Sequence, residues 1–133
     1  MIPPFDKSGC LPPGVHPATM AEIEARFGRE SELRRVQMES VRWMVDLAVR
    51  AGVQRIVLNG SFVTDIMEPN DVDCVLLIGR GYPKDPVAAD ELLAGLPFLE
   101  INAVRQRGFK KLVGEVFATD RFYVPKGMVE LIP

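Results

Sequence analysis

The stretch that most constrains this chain is residues 56–78, IVLNGSFVTDIMEPNDVDCVLLI. Residues 53–58 and 72–78 are apolar runs rich in valine, isoleucine and leucine, and both read as strands. The second is apolar at nearly every position, the pattern of a strand buried on both faces. Gly60-Ser61 breaks the chain just after the first run. Asp71 and Asp73 stand at the head of the second, with one valine between them. Carboxylates at the head of a buried strand are costly unless they are exposed, paired or bound to a cation.

The remaining pattern supplies a sheet and its cover. Thr19-Met20-Ala21-Glu22 is a capping box that opens a helix running to Gly28. Ser31 caps a longer helix that ends at Ala51, before Gly52. In it, Leu33, Val36, Val41, Met44, Leu47 and Ala48 recur at helical spacing. Arg34, Arg35, Glu39, Arg42, Asp46 and Arg50 are assigned mainly to the solvent side. Residues 62–67 read as one or two helical turns, and residues 86–95 as a short helix with Pro86 in its first turn. Residues 98–104 (FLEINAV) form a third strand. A third long helix follows Gly108, with Phe109, Leu112, Val113, Val116 and Phe117 at i, i+3, i+4, i+7 and i+8. Residues 128–132 form a last, edge strand. Residues 1–18 hold five of the eleven prolines and make an extended arm. The expected fold is α+β: one domain over 1–133, with a small mixed sheet of three to four strands and helices mainly on one face.

Composition bounds the function. The chain has 133 residues, 47% of them hydrophobic, enough for one core. A net charge of −2 argues against coating nucleic acid by bulk charge. The two cysteines, Cys10 and Cys74, are expected as free thiols in a reducing compartment. No apolar run is long enough to span a bilayer and no signal layout opens the chain, so a cytoplasmic protein without a membrane partner is expected.

Gly60 lets the backbone turn tightly and approach a ligand, and Ser61 adds a hydroxyl. Alternate residues of a strand share a face, so Asp71 and Asp73 point the same way. Two carboxylates so close repel unless one keeps a proton or cations lie between them. Mg²⁺ suits such a pair, taking one or two carboxylates plus substrate phosphates. Two ions about 3.5–4 Å apart clamp an in-line displacement at phosphorus; Mn²⁺ is the alternative metal. That chemistry wants a third carboxylate, and Glu100, within Leu99-Glu100-Ile101, is the candidate, with Glu115 a lower-ranked rival. Lys110, Lys111, Arg121 and Lys126 are cations that suit a triphosphate, and equally suit a solvated surface; Arg121 is singled out for test. Asn70-Asp71 also has the composition of an ordinary turn at a solvated strand end. There is no Gly-x-x-x-x-Gly-Lys-Ser/Thr loop.

"IVLNGS", "NDVDCVLLI" and "LEI" together resemble the signature of the DNA polymerase beta-like nucleotidyltransferase superfamily, in particular its minimal single-domain bacterial members. The phrases "LPPGVHPAT" and "ATDRFYVPKG" also look like the two ends of small bacterial members. The resemblance implies the nucleotidyltransferase fold and an Mg²⁺-dependent transfer of a nucleoside monophosphate from an NTP to an acceptor hydroxyl, on a protein or an RNA. It implies that Gly60 and Ser61 hold the phosphates; Arg121, from the cations above, is the one assigned to nucleotide binding. It implies that Asp71 and Asp73 carry the metal ions and that Glu100 stands at the third carboxylate, where Asp is the commoner residue. Larger members carry a further helical domain after this region. None is expected here, so a small helical partner, as in toxin–antitoxin pairs, or a second copy is expected to complete the site. The competing expectation is a catalytically inactive nucleotide-binding or antitoxin-type module with the same fold.

Overall fold

The apolar runs pair into one five-stranded mixed sheet in the computed structural model, which describes residues 1–119 and 125–132. In chain order the elements are β1 (Gly14–Ala18), α1 (Met20–Phe27), α2 (Glu32–Ala51), β2 (Arg55–Asn59), β3 (Val72–Leu77), α3 (Pro86–Ala94), β4 (Leu99–Val104), α4 (Gln106–Lys111) and β5 (Gly127–Leu131). The spatial order is β1-β5-β2-β3-β4. β2 is antiparallel to both β3 and β5, whereas β1 runs parallel to β5 and β4 parallel to β3. The mixed α+β character is as expected; the strand count is five rather than three to four. The proline-rich arm ends in a strand, and Pro17, which has no N–H to donate, is tolerated because β1 lies at the sheet edge. That pairing places β5 inside the sheet, not at its edge as the sequence suggested.

The helices start where their caps are written. Thr19 accepts from the Glu22 N–H while the Glu22 carboxylate accepts from the Thr19 N–H. Ser31 accepts from the Arg34 N–H, and Asp85 from the N–H groups of Val87 and Ala88. Strand alternation gives the sheet two apolar faces. On one, Ile23 and Phe27 of α1 and Met38, Val41, Met44 and Leu47 of α2, with Leu92 of α3, bury Ile56, Leu58, Cys74, Leu76 and Val129. On the other, Val57, Val75, Leu77 and Met128 pack against Phe109 of α4, with Leu112 and Val113 beside it. The last helix therefore covers the opposite face from the other three. It begins at Gln106, so Gly108 lies within it, and continues as a π-helical turn over Leu112–Val116.

One assignment to solvent is overturned. Arg34 is 1% exposed. Its guanidinium donates to the carbonyls of Phe27, Phe62, Thr64 and Ile66, with a longer contact to Ser61. These carbonyls, apart from that of Phe27, belong to the loop between β2 and β3, which has no ladder to satisfy them. A planar fork of five donors suits such convergent acceptors, and lysine does not supply it. Gln37, one turn on, donates to the Pro69 carbonyl and fixes the far end of the same loop. Arg34→Met should keep the apolar stem but leave those carbonyls unpaired, lowering stability by about 3–5 kcal/mol in urea unfolding. Arg34→Lys is expected to recover less than half of that loss.

Candidate functional site

The sheet register brings two of the three candidate acids together. Asp73 is directly beside Glu100 in the parallel β3–β4 pair, and opposite Asn59 in the antiparallel β2–β3 pair. All three point to the face that carries Val75 and Leu77, but at its polar end. Asp73 is half-buried and Glu100 is exposed. Asp71 precedes β3 and is exposed. Among the described residues no three His, Cys, Asp or Glu side chains are gathered tightly enough to grip one ion. The centre is thus a carboxyl pair, with Asp71 at its margin.

Electrostatics mark Asp73 as the unusual member. Burial, then a hydrogen bond to Glu100 and that group's charge, push the Asp73 carboxyl up to about 6, with Asp71 adding slightly; Lys126 opposes the shift. Two carboxyl groups joined by a hydrogen bond share one proton; the more buried Asp73 holds it and donates to the Glu100 carboxylate. Lys126 is half-buried and acts on Asp73 through its charge. The sequence offered it only as one of several cations; its place directly before β5 brings its charge to bear on Asp73.

Gly60 is bound to this arrangement by shape. Its φ of 86° and ψ of −169° lie in a region essentially restricted to glycine. A Cβ at that position would stand 2.8 Å from Asp73 Oδ2 and 3.4 Å from the Asp71 carbonyl oxygen. Ser61 opens a 3₁₀ turn over Ser61–Val63, and its hydroxyl accepts from the Asn70 N–H at 3.1 Å. The serine therefore ties the start of the loop to the residue before Asp71, and its own O–H remains available to donate.

Asn59 was missed by sequence reasoning, which ended the strand at Leu58; here it is the last residue of β2. It is 1% exposed, and both Nδ2 and Oδ1 lack a partner among the described residues. An unpaired buried polar atom costs about 1–3 kcal/mol, and a leucine would fill the position without that cost. The signal that could have found it is a polar residue closing an apolar run directly before the Gly-Ser turn.

The other candidates lie outside the strand ladder. Glu115 is exposed in the π-helical turn, whereas Glu100 is the acid paired with Asp73 between β3 and β4. Lys110 and Lys111 end α4 and are exposed. Arg121 lies outside the described residues. Cys10 and Cys74 are free, and burial pushes the Cys74 thiol far above its ordinary value, so it is a packing group rather than a nucleophile. Of the described residues, no helix is long and apolar enough to cross a membrane.

The sequence profile of a family of unknown function, DUF6932, matches residues 3–132, and the chain belongs to that family. No curated protein and no solved structure shows a significant match to it.

Two outcomes follow from the site's geometry. Gly60→Ala is expected to destabilise the fold by about 1–3 kcal/mol through backbone strain, measured by urea unfolding, and to displace the Asp73 carboxylate. Asp73 keeps its proton to about pH 6 when folded, against an ordinary 3.8. The native state therefore binds more protons than the unfolded state between those values, and stability falls as pH rises through that window. At pH 7 in metal-free buffer, Asp73→Asn should stabilise the protein by roughly 1–2 kcal/mol, the full shift being discounted for the solvent that reaches the pair. It should also flatten the profile between pH 4 and 6.

Proposed function

We propose that this DUF6932 chain is a divalent-cation-dependent nucleotidyltransferase of the polymerase beta-like superfamily, moving a nucleoside monophosphate from an NTP to an acceptor hydroxyl. The observation that carries the reading is the convergence of Gly60, Asp73 and Glu100 at one end of the sheet. A turn that only glycine can make lies against one acid, and a second acid lies in register beside it. An acid pair that costs stability and serves no packing role is what a functional site retains.

The donor set fits hard cations. Asp73 and Glu100 supply adjacent carboxylates, and exposed Asp71 is free to turn toward them. Mg²⁺ or Mn²⁺, when bound, would neutralise phosphate charge and make the acceptor hydroxyl more acidic. The chain's own part is positioning. Gly60 leaves room for phosphate oxygens next to the backbone, and the Ser61 hydroxyl is free to donate to them. Lys126 adds positive charge, and Arg121 is the further cation singled out for the triphosphate. The acceptor oxygen bonds to the α-phosphorus, the bond to the β-phosphate oxygen breaks, and pyrophosphate leaves. Glu100 is the carboxylate placed to receive the hydroxyl proton. The resemblance adds a small helical partner protein or a second copy, cytoplasmic and of the toxin–antitoxin kind, to complete the acceptor surface.

A second reading, a nucleotide-binding or antitoxin-type module without turnover, is favoured by one observation: Asp71 does not join the carboxyl pair. One experiment separates the two. The protein is incubated with each labelled NTP, Mg²⁺ and cell lysate, and its unfolding is followed with Mg²⁺ and NTP alone. Transfer of label that the double variant D71A/D73A abolishes is the expected result. Ligand at a hundred times its Kd stabilises by about 2.7 kcal/mol. A shift of that order without transfer supports the binding module, and no shift and no transfer overturns both readings.

A further inference from the structure

We infer that Asn59 is a positioning residue for the cation site, its amide holding the Asp73 carboxylate and the hydration shell of the bound divalent ion. The inference rests on the transferase reading of the same site and goes beyond it, because nothing in the resemblance assigns position 59.

Two observations explain each other. Asp73 stands beside Glu100 in the parallel β3–β4 pair. Directly across the β2–β3 ladder, on the same face, the Asn59 amide has no partner for either its donor or its acceptor among the described residues. Cβ atoms of opposed residues in an antiparallel pair lie about 4.5–5.5 Å apart, within reach of an amide-to-carboxylate hydrogen bond. Asp73 and Glu100 would hold the ion, and ionised Asp73 would keep lone pairs to accept from the Asn59 Nδ2–H. Oδ1 would accept from a water carried by the ion, since Mg²⁺ keeps several of its waters. Both polar groups of Asn59 that lack a partner among the described residues would thereby be used. Groups that orient metal ligands in this way set affinity about as strongly as the ligands themselves.

The test compares wild type with Asn59→Leu, which keeps the branched outline of the side chain and removes both polar atoms. Mn²⁺ binding is read by electron paramagnetic resonance, with and without a non-hydrolysable ATP analogue, and the metal-free Tm is measured alongside. The expected result is an N59L protein with a higher metal-free Tm and about tenfold weaker Mn²⁺ binding. Unchanged Mn²⁺ affinity, or a lower metal-free Tm, overturns the inference. If N59L does not fold, Asn59→Ser is assayed in the same way, with weaker Mn²⁺ binding expected and unchanged affinity overturning it. Wild type that binds no Mn²⁺ in either condition removes the transferase reading and this inference together. Wild type that binds Mn²⁺ as tightly as N59L does removes this inference alone.

Discussion

The register between β3 and β4 is the constraint on which the site depends. In a parallel pair, partners in register share a face, so Asp73 beside Glu100 is fixed by backbone hydrogen bonding before any side chain is placed. A slip of one residue would turn Glu100 to the face covered by α1, α2 and α3, where a carboxylate has no solvent and no partner. The apolar residues on both strands prevent that slip. Cys74 and Leu76 of β3, with Leu99 and Ile101 of β4, must meet the helices, while Val75 and Leu77 must meet Phe109. The hydrophobic core therefore sets the position of the acids, and the acids add to its cost.

The loop between β2 and β3 completes the arrangement, and it is held by charge rather than by apolar packing alone. Arg34 reaches from α2 under the loop and collects its carbonyls, Gln37 fixes the Pro69 end, and Ser61 ties the start to Asn70. Phe62 and Val63 pin the turn to the core below. Gly60 is thus presented to Asp73 by a loop whose backbone groups are largely spoken for from beneath. That organisation explains why a guanidinium is buried at 1% exposure, where an unpaired charge would be prohibitive.

Local sequence signals carried most of the fold. Caps at Thr19 and Ser31 sit where their composition places them, because capping is a contact between near neighbours. The β1–β5 pairing was not legible, since it joins residues more than a hundred positions apart and one partner reads as a proline-rich arm. Arg34 was misassigned for a related reason. Helical periodicity separates apolar from polar residues but gives no sign that distant carbonyls await a donor. At the site, Gly60, Asp73 and Glu100 were readable from strand alternation and the glycine turn. Asp71 lies just before the strand, so alternation alone overstated its closeness to Asp73. Asn59 and Lys126 acquire their meaning only from β2–β3 pairing and the return of the chain into β5.

The central claim is that Asp73 and Glu100 form a cation site facing Gly60. The most direct measurement is a crystal structure grown with Mn²⁺ and a non-hydrolysable nucleoside triphosphate, with the ions located by anomalous scattering. The account predicts an anomalous peak within about 2.2 Å of carboxylate oxygens from both Asp73 and Glu100, with the triphosphate against the Gly60 turn. Triphosphate bound elsewhere, or Asp73 and Glu100 still in mutual contact with no ion between them, would contradict it.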